Sequence, residues 1–313
     1  MVYFRDFDGD RAIVPFSTRL LEDQGRGLVS ALADLRSDTI YLRTPCNKPW
    51  YKAVVSVVIC TYGRQESLNE TLKSLTLQTF RDFEVLLITE KGDLSRLRHK
   101  GLECGNGLIV TFIDDDVYCE PTWLQSIVQA FKDKRVIGVT GPTTIKHDYR
   151  RNRDIFKYKF FRKLQDRFFL GNLRYLPSRL SSCGCPSMAS NDENLEINSP
   201  LKVDYLEACN MSVRRKEALD AGGFDDAYRG TSEWCEVDLS LKIGHKGNLS
   251  FDPAVSLYHR PSRQGVYKSR LSTAHRWKNF KVFQRRWVKP SFKRSLYWAW
   301  VWTYLKLKGL RMI

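Results

Sequence analysis

Asp114-Asp115-Asp116 directly follows an apolar run, Leu108 to Ile113 (LIVTFI). Three adjacent carboxylates repel one another, and each like pair raises the pKa of its members unless a cation neutralises them. Hard oxygen donors of this kind suit Mg2+ or Mn2+, ions that in turn hold phosphate groups. The bland reading is a solvated acidic turn. Position argues against it, because the triplet closes what reads as a buried strand. A second acidic group, Glu233-Trp234-Cys235-Glu236-Val237-Asp238, opens a segment from Glu236 to Gly244 that reads as a helix. Acids there are favoured by the helix dipole. A carboxylate there can also serve as a general base.

Both groups need a frame. Lys52 to Cys60 (KAVVSVVIC) and Phe83 to Thr89 (FEVLLIT) are unbroken apolar runs, the mark of strands buried on both faces. Ser67 to Thr79 and Leu94 to Cys104 read as helices between them, with Ser67 and Glu70 spaced as a capping box. Pro121 to Lys132 reads as a further helix and Arg135 to Thr140 as a fourth strand. Strands alternating with helices predict βαβ units and a mostly parallel sheet. Ligands bind at the carboxyl ends of such strands. That rule points to Thr61 to Arg64, Thr89 to Asp93, and Asp114 to Asp116. Further on, Val203 to Met211 and Phe251 to His259 read as strands, Lys216 to Ala221 as a short helix, and Ser178 to Pro200 as a loop.

Composition limits the classes. The chain has 313 residues, 42% hydrophobic and 12% aromatic, enough to bury a real core and inconsistent with disorder. The net charge of +16 predicts an anionic partner: nucleic acid, a phospholipid surface or a phosphorylated substrate. Its placement is uneven. No Asp or Glu follows Asp252, and 15 of the 51 Lys and Arg lie from Arg260 onward, so the first 259 residues are nearly neutral. In that tail Trp277, Trp287, Trp298, Trp300 and Trp302 interleave with cations. This suits an anionic bilayer surface, or a helical cap packing its tryptophans on the main domain. Arg150 to Tyr175 mixes cations and aromatics in the same way. The first ten residues lack an apolar signal region, and no apolar run approaches the ~18 residues of a spanning helix. The eight cysteines have no CxxC spacing and read as reduced, buried thiols. Cys183-Gly-Cys185 alone is a weak metal signal. The expected location is cytoplasmic, either free or peripheral at the cytoplasmic face of a membrane.

SVVICTYGR, FEVLLITEKGD and LSRLRHKGLECGNGLIVTFIDDD, followed by EACNMSVRRKEALDAGGFDD, SEWCEVDLSLKIGHKG and LYHRPS, resemble the inverting family 2 glycosyltransferases. The likeness runs over roughly residues 53–262. It implies the nucleotide-diphospho-sugar transferase fold called GT-A: an α/β, Rossmann-like, mostly parallel central sheet with flanking helices, here with a basic helical C-terminal extension. The expected divisions are 1–52, an N-terminal extension packed on the catalytic domain; 53–142, the nucleotide-binding half; 143–262, the acceptor half; and 263–313, the basic aromatic extension.

The resemblance implies roles. Thr61, Tyr62 and Arg64 would contact the nucleotide. Glu90 loosely matches the acid that reads the base, though Thr89-Glu90-Lys91-Gly92-Asp93 departs from the family pattern. Arg98 would pair with the nucleotide or diphosphate. Asp114 and Asp116 form a DxD pair in which Asp116 binds Mn2+ or Mg2+, Asp114 or Asp115 faces the ribose, and Asp114 and His259 complete the metal site. Glu236 would be the base that deprotonates the acceptor hydroxyl, with Asp238 the alternative; Cys235 stands where relatives have Glu. Trp234 either stacks on an acceptor sugar or packs internally. Gln284-Arg285-Arg286-Trp287 falls one residue short of the Gln-x-x-Arg-Trp motif of processive synthases. The expected partners are a nucleotide-diphosphate sugar, a glycan or lipid-linked acceptor, and an anionic membrane surface met by the tail. Two other readings remain: a nucleic-acid-binding protein, which would make both acidic motifs incidental, and a non-catalytic glycan-binding relative.

Overall fold

The computed structural model describes residues 11–15, 39–43, 53–145, 154–192, 195–260 and 273–309. The strands are β1 (Arg11–Pro15), β2 (Thr39–Arg43), β3 (Val55–Cys60), β4 (Phe83–Ile88), β5 (Ile109–Ile113), β6 (Val117–Cys119), β7 (Val136–Thr140), β8 (Thr143–Ile145), β9 (Pro177–Leu180), β10 (Pro186–Met188), β11 (Leu201–Lys202), β12 (Asn210–Arg214), β13 (Asn248–Phe251) and β14 (Leu257–His259). The helices are α1 (Gln65–Thr76), α2 (Leu94–Cys104), α3 (Trp123–Ala130), α4 (Asp154–Gln165), α5 (Arg215–Asp220), α6 (Cys235–Gly244), α7 (Thr273–Trp287) and α8 (Phe292–Gly309).

Nine strands form one sheet in the order β1-β2-β4-β3-β5-β12-β7-β13-β11. β3, β4, β5, β7 and β13 run in one direction, and β12 enters antiparallel between β5 and β7. The alternation of side chains along β3 makes two cores. Val55, Val57 and Ile59 pack on one face with Leu68, Leu72 and Leu75 of α1 and Trp123 of α3. Val58 packs on the other face with Leu97 of α2 and Phe112 of β5. Each fully buried Leu or Val contributes roughly 1.5–3 kcal/mol. A third cluster joins Phe169, Leu170, Cys183 and Cys185 to Phe280 of α7 and Tyr297, Val301 and Leu305 of α8. The tail tryptophans Trp277, Trp298 and Trp300 pack against it, so α7 and α8 form a helical hairpin seated on the α/β body.

Four local readings change. Ser67 does not cap α1: the helix begins two residues earlier and its N-cap position, Arg64, makes no side-chain cap bond. The apolar stretch at 203–209 is buried loop, and the strand covers Asn210–Arg214. Phe251 to His259 is two strands, broken by a turn in which Val255 N–H donates to Asp252 C=O at 3.0 Å. The segment 178–200 holds the β9–β10 hairpin rather than loop alone. The seven cysteines among the described residues form no disulfide bond. Cys183 and Cys185 lie fully buried in the third cluster. Among the described residues, no helix is long and apolar enough to cross a membrane.

Candidate active site

The acidic triplet leaves the end of β5 and is shaped by its neighbours. Asp115 is buried; Thr61 Oγ1 donates to its Oδ2 at 2.7 Å and Arg64 Nη1 to its Oδ1 at 2.8 Å. Burial pushes the Asp115 carboxyl up to about 6, against the pull of Arg64 and Thr61, with Asp116 and Asp114 adding to the rise. Arg64 also reaches Asp116 Oδ2 at 3.1 Å. A small sheet, β6-β14-β8, supplies the next group. Its register sets His259 opposite Val117, and Arg260 N–H donates to Asp116 C=O at 2.8 Å. His259 Nε2 then lies 2.9 Å from Asp116 Oδ1 and 3.8 Å from Asp114 Oδ2. Burial would lower the imidazole pKa, but the Asp116 bond and the charges of Asp114 and Asp116 raise it.

One ligand atom each from Asp114, Asp116 and His259 lies within 4.8 Å of the others. Two carboxylate oxygens and one imidazole nitrogen form a donor set that fits Mn2+ or Mg2+. The buried, mutually repelling carboxylates are an independent sign that a cation suits the place.

A cavity of about 640 Å³ extends from these residues. Arg98, on α2, lines it and is only 5% exposed. Its Nη2 is 3.7 Å from Asp114 Oδ1 and its Nη1 is 3.6 Å from Cys235 Sγ. A buried guanidinium facing a cavity favours an anionic ligand there. The loop before α6 is tied to the start of α2: Leu94 N–H donates to Gly230 C=O and Ser95 N–H to Ser232 Oγ, both at 3.0 Å. Ser232 and Trp234 adopt left-handed backbone, with φ of 53° and 69°. Such strain collects at functional sites and costs on the order of 1 kcal/mol or more per residue. It turns Glu236, in the first turn of α6, to the cavity wall. Burial pushes the Glu236 carboxyl up to about 7, offset in part by the positive charge of Arg98.

Not every expected residue reaches this cavity. Tyr62, Arg64, Arg98, Asp114, Asp115, Asp116, Glu236 and His259 line it. Thr61 instead supports Asp115 from behind. Glu90 lies off the cavity, paired with Arg96 at 3.3 Å and Lys100 at 3.4 Å. Asp238 is fully buried on the other side of α6, where it binds Arg286, Trp287 and Tyr228. Trp234 lines the cavity and also packs on Phe280 and Phe283. The structure adds one acid that the sequence reading did not single out. Glu207, buried in the loop before β12, lines the cavity and accepts from Ser190 Oγ at 2.6 Å and Tyr205 O–H at 3.1 Å. Burial pushes its carboxyl up. Its one sequence signal is an acid inside an apolar run, Tyr205-Leu206-Glu207-Ala208-Cys209.

The sheet is the mostly parallel α/β architecture expected from the sequence, with an acidic cluster at its strand ends and a carboxylate on the same cavity. The sequence model described as Glycosyl transferase family 2 matches residues 87–188. A glucosyl-dolichyl phosphate glucuronosyltransferase of Haloferax volcanii is 24% identical over 199 residues, covering 55% of this chain and 56% of that protein. A probable N-acetylgalactosaminyltransferase 6 of Caenorhabditis elegans is 22% identical over 193 residues, covering 59% of this chain and 27% of that protein. The chain thus spans about half or less of the length of the curated relatives it matches. A crystal structure of GalNAc-T7 with UDP, GalNAc and Mn2+ aligns at a TM-score of 0.45 and 12% identity, over 69% of this chain and 45% of that one. Over residues 87–188 the chain is therefore similar to the family 2 glycosyltransferases.

Proposed function

We propose that the protein is a metal-dependent inverting glycosyltransferase that moves a sugar from a nucleotide-diphosphate sugar to a hydroxyl of a glycan or lipid-linked acceptor. The observation that carries this reading is that Asp114, Asp116 and His259 converge at one end of a cavity whose wall also bears Glu236. Asp114, Asp116 and His259 would hold the cation, which when bound supplies Lewis-acid stabilisation of charge on the departing diphosphate. Arg98 adds a fixed positive charge on the same side, and Asp114 or Asp115 with Tyr62 and Arg64 would orient the nucleoside. Glu236, with a pKa near neutrality, takes the proton of the acceptor hydroxyl as that oxygen attacks the anomeric carbon from the face opposite the phosphate. Its full burial among Arg286, Trp287 and Tyr228 makes Asp238 an anchor of α6 in this scheme rather than the base.

The proposal extends to organisation and place. Residues 53–262 would form the catalytic domain, with 1–52 and 263–313 as extensions. The relative that is named for acting on a dolichyl phosphate-linked sugar supports a lipid-linked acceptor met at a membrane. So does the exposed face of α8, where Phe292 and Trp302 stand with Lys293 and Lys306, Lys289 lies just before the helix, and no acidic residue follows Asp252. A panel of uridine- and guanosine-diphosphate sugars, assayed for hydrolysis and transfer with Mn2+ present and after chelation, tests the central claim. One donor should be turned over with Mn2+ and not with EDTA. Turnover that survives thorough chelation would sink the metal assignment.

A further inference from the structure

The C-terminal hairpin contributes Arg276, Tyr297, Trp300, Val301, Tyr304 and Leu305 to the cavity wall. Phe161 of α4 meets Trp300 and Tyr304 of α8 at ring-centroid distances of 5.9 and 6.5 Å, and all three line the cavity. Polar groups line the same cavity. Glu233 and Arg276 pair at 3.0 Å, and Trp300 Nε1–H donates to Gln165 Oε1 at 3.2 Å. Thr231 Oγ1 is buried at the cavity without a hydrogen-bond partner. We propose that this wall is a saccharide subsite that binds a pyranose ring of the acceptor. The tail helices are then part of the acceptor site and not an appendage to it. The proposal rests on the reading of the cavity as a glycosyltransferase site and names what its second half takes.

The chemistry of the wall selects the ligand. A pyranose has an apolar C–H face and a rim of hydroxyls that both donate and accept. Aromatic rings match the face. A carboxylate, a guanidinium and a hydroxyl match the rim. An isoprenoid chain would satisfy the rings but would strip water from the Glu233–Arg276 pair and Thr231 and return no hydrogen bond. A phosphate would meet cations already engaged, since Arg276 is paired with Glu233, Arg162 with Asp166 at 2.8 Å, and Lys308 lies over the Tyr304 ring at 5.9 Å. The wall is also held in place: Trp300 is fixed by Gln165 and by the ring of Phe169 at 6.0 Å. A rigid wall lowers the ordering cost of binding.

Saturation-transfer NMR on the full chain provides the test. The probes are the methyl glycosides of glucose, galactose, mannose and N-acetylglucosamine, with UDP, GDP and Mn2+ titrated separately and farnesyl phosphate as competitor. Two variants are compared, Trp300→Ala and the isosteric Glu233→Gln, the second because Trp300 packs in a cluster whose loss can disturb folding. At least one glycoside should bind, and its affinity should fall about tenfold or more in each folded variant, the loss expected for one charge-assisted or stacking contact. Nucleotide affinity should stay within about twofold. Glycoside binding unchanged in Glu233→Gln, or no glycoside bound while a nucleotide binds, would overturn the subsite and leave the donor reading standing. Glycoside binding that depends on Trp300 and Glu233 in a chain that binds no nucleotide would uphold the subsite and sink the transferase reading.

Discussion

Arg286 Nη1 lies 2.8 Å from Asp238 Oδ1, although the two residues are 48 positions apart. Trp287 Nε1–H donates to the same oxygen at 2.8 Å, and Lys242 Nζ sits 2.8 Å from Asp238 Oδ2. The end of α7 is thereby fastened to α6, whose first turn carries Glu236. Asp238→Asn removes the charge and leaves Arg286 and Lys242 without their buried partner. It should cost about 3 kcal/mol, the lower range for breaking a buried ion pair. The urea midpoint should fall accordingly, with faster proteolysis in the C-terminal hairpin. An unchanged midpoint would remove the anchor role.

Glu236 sets a pH dependence. A general base must be ionised, so with a pKa of about 7 transfer should rise with pH up to neutrality and level off above it. Glu236→Gln should lower kcat by about 10²- to 10⁴-fold and abolish this limb. The stability effect has the opposite sign. A carboxyl whose pKa is raised on folding binds its proton more tightly in the native state, so native stability falls as pH rises from about 4.5 to 7. Glu236→Gln should therefore be the more stable protein above pH 7, read by thermal unfolding at pH 5 and pH 8.

Arg98 should link the nucleotide site to the base. Its charge lowers the Glu236 pKa. Arg98→Gln should move the pH limb to a more alkaline position and weaken nucleoside-diphosphate binding by about 10- to 100-fold, the loss of one buried charge-assisted contact. Calorimetric titration and pH–rate profiles report the two effects separately. A weakened affinity with an unmoved limb would break the proposed coupling.

Metal binding should be visible without turnover. Mn2+ in excess should raise the melting temperature of the parent chain by mass action. Asp116→Ala and His259→Ala should lose that response, and Asp116→Ala should reduce transfer by about 100-fold or more. An equal Mn2+ shift in parent and Asp116→Ala would place the ion elsewhere.

Membrane attraction is tested best by surface substitution, because α7 and α8 bury Phe280, Phe283 and Tyr297 and deleting them would expose that core. Reversing Lys289, Lys293 and Lys306 to Glu removes exposed cations and, besides them, the contact of Lys306 with the exposed Trp302 ring at 5.6 Å. At about 1 kcal/mol for each cation near the bilayer, the change should reduce co-sedimentation with phosphatidylglycerol vesicles more than tenfold. Equal binding by both proteins would end the docking role.

The strand and helix succession from β3 to β7 was legible because its signals are local. Unbroken β-branched runs mark the buried strands, and Leu68, Leu72 and Leu75 fall on one helical face. Asp114, Asp116 and Glu236 were legible for a similar reason, being acids at the ends of apolar elements, where charge has no packing purpose. The errors arose where burial lacks periodicity. Val203, Tyr205 and Leu206 are as buried as any strand residue, yet they pack as loop around Glu207.

The sequence by itself determined that the excess charge lies almost wholly after residue 259, and that two acidic motifs sit in a nearly neutral α/β body. Only the tertiary structure decided what the charged tail does there. Trp277, Trp287, Trp298 and Trp300 pack inward while Trp302 stays exposed, Arg286 pairs with Asp238, and Trp300 joins the cavity wall. The physical reason is that a cation or an aromatic ring has the same composition and spacing whether it meets lipid, water or its own chain. The nearest partner chooses among these, and at separations of dozens of residues that partner is set by the packing of α7 and α8 on the body.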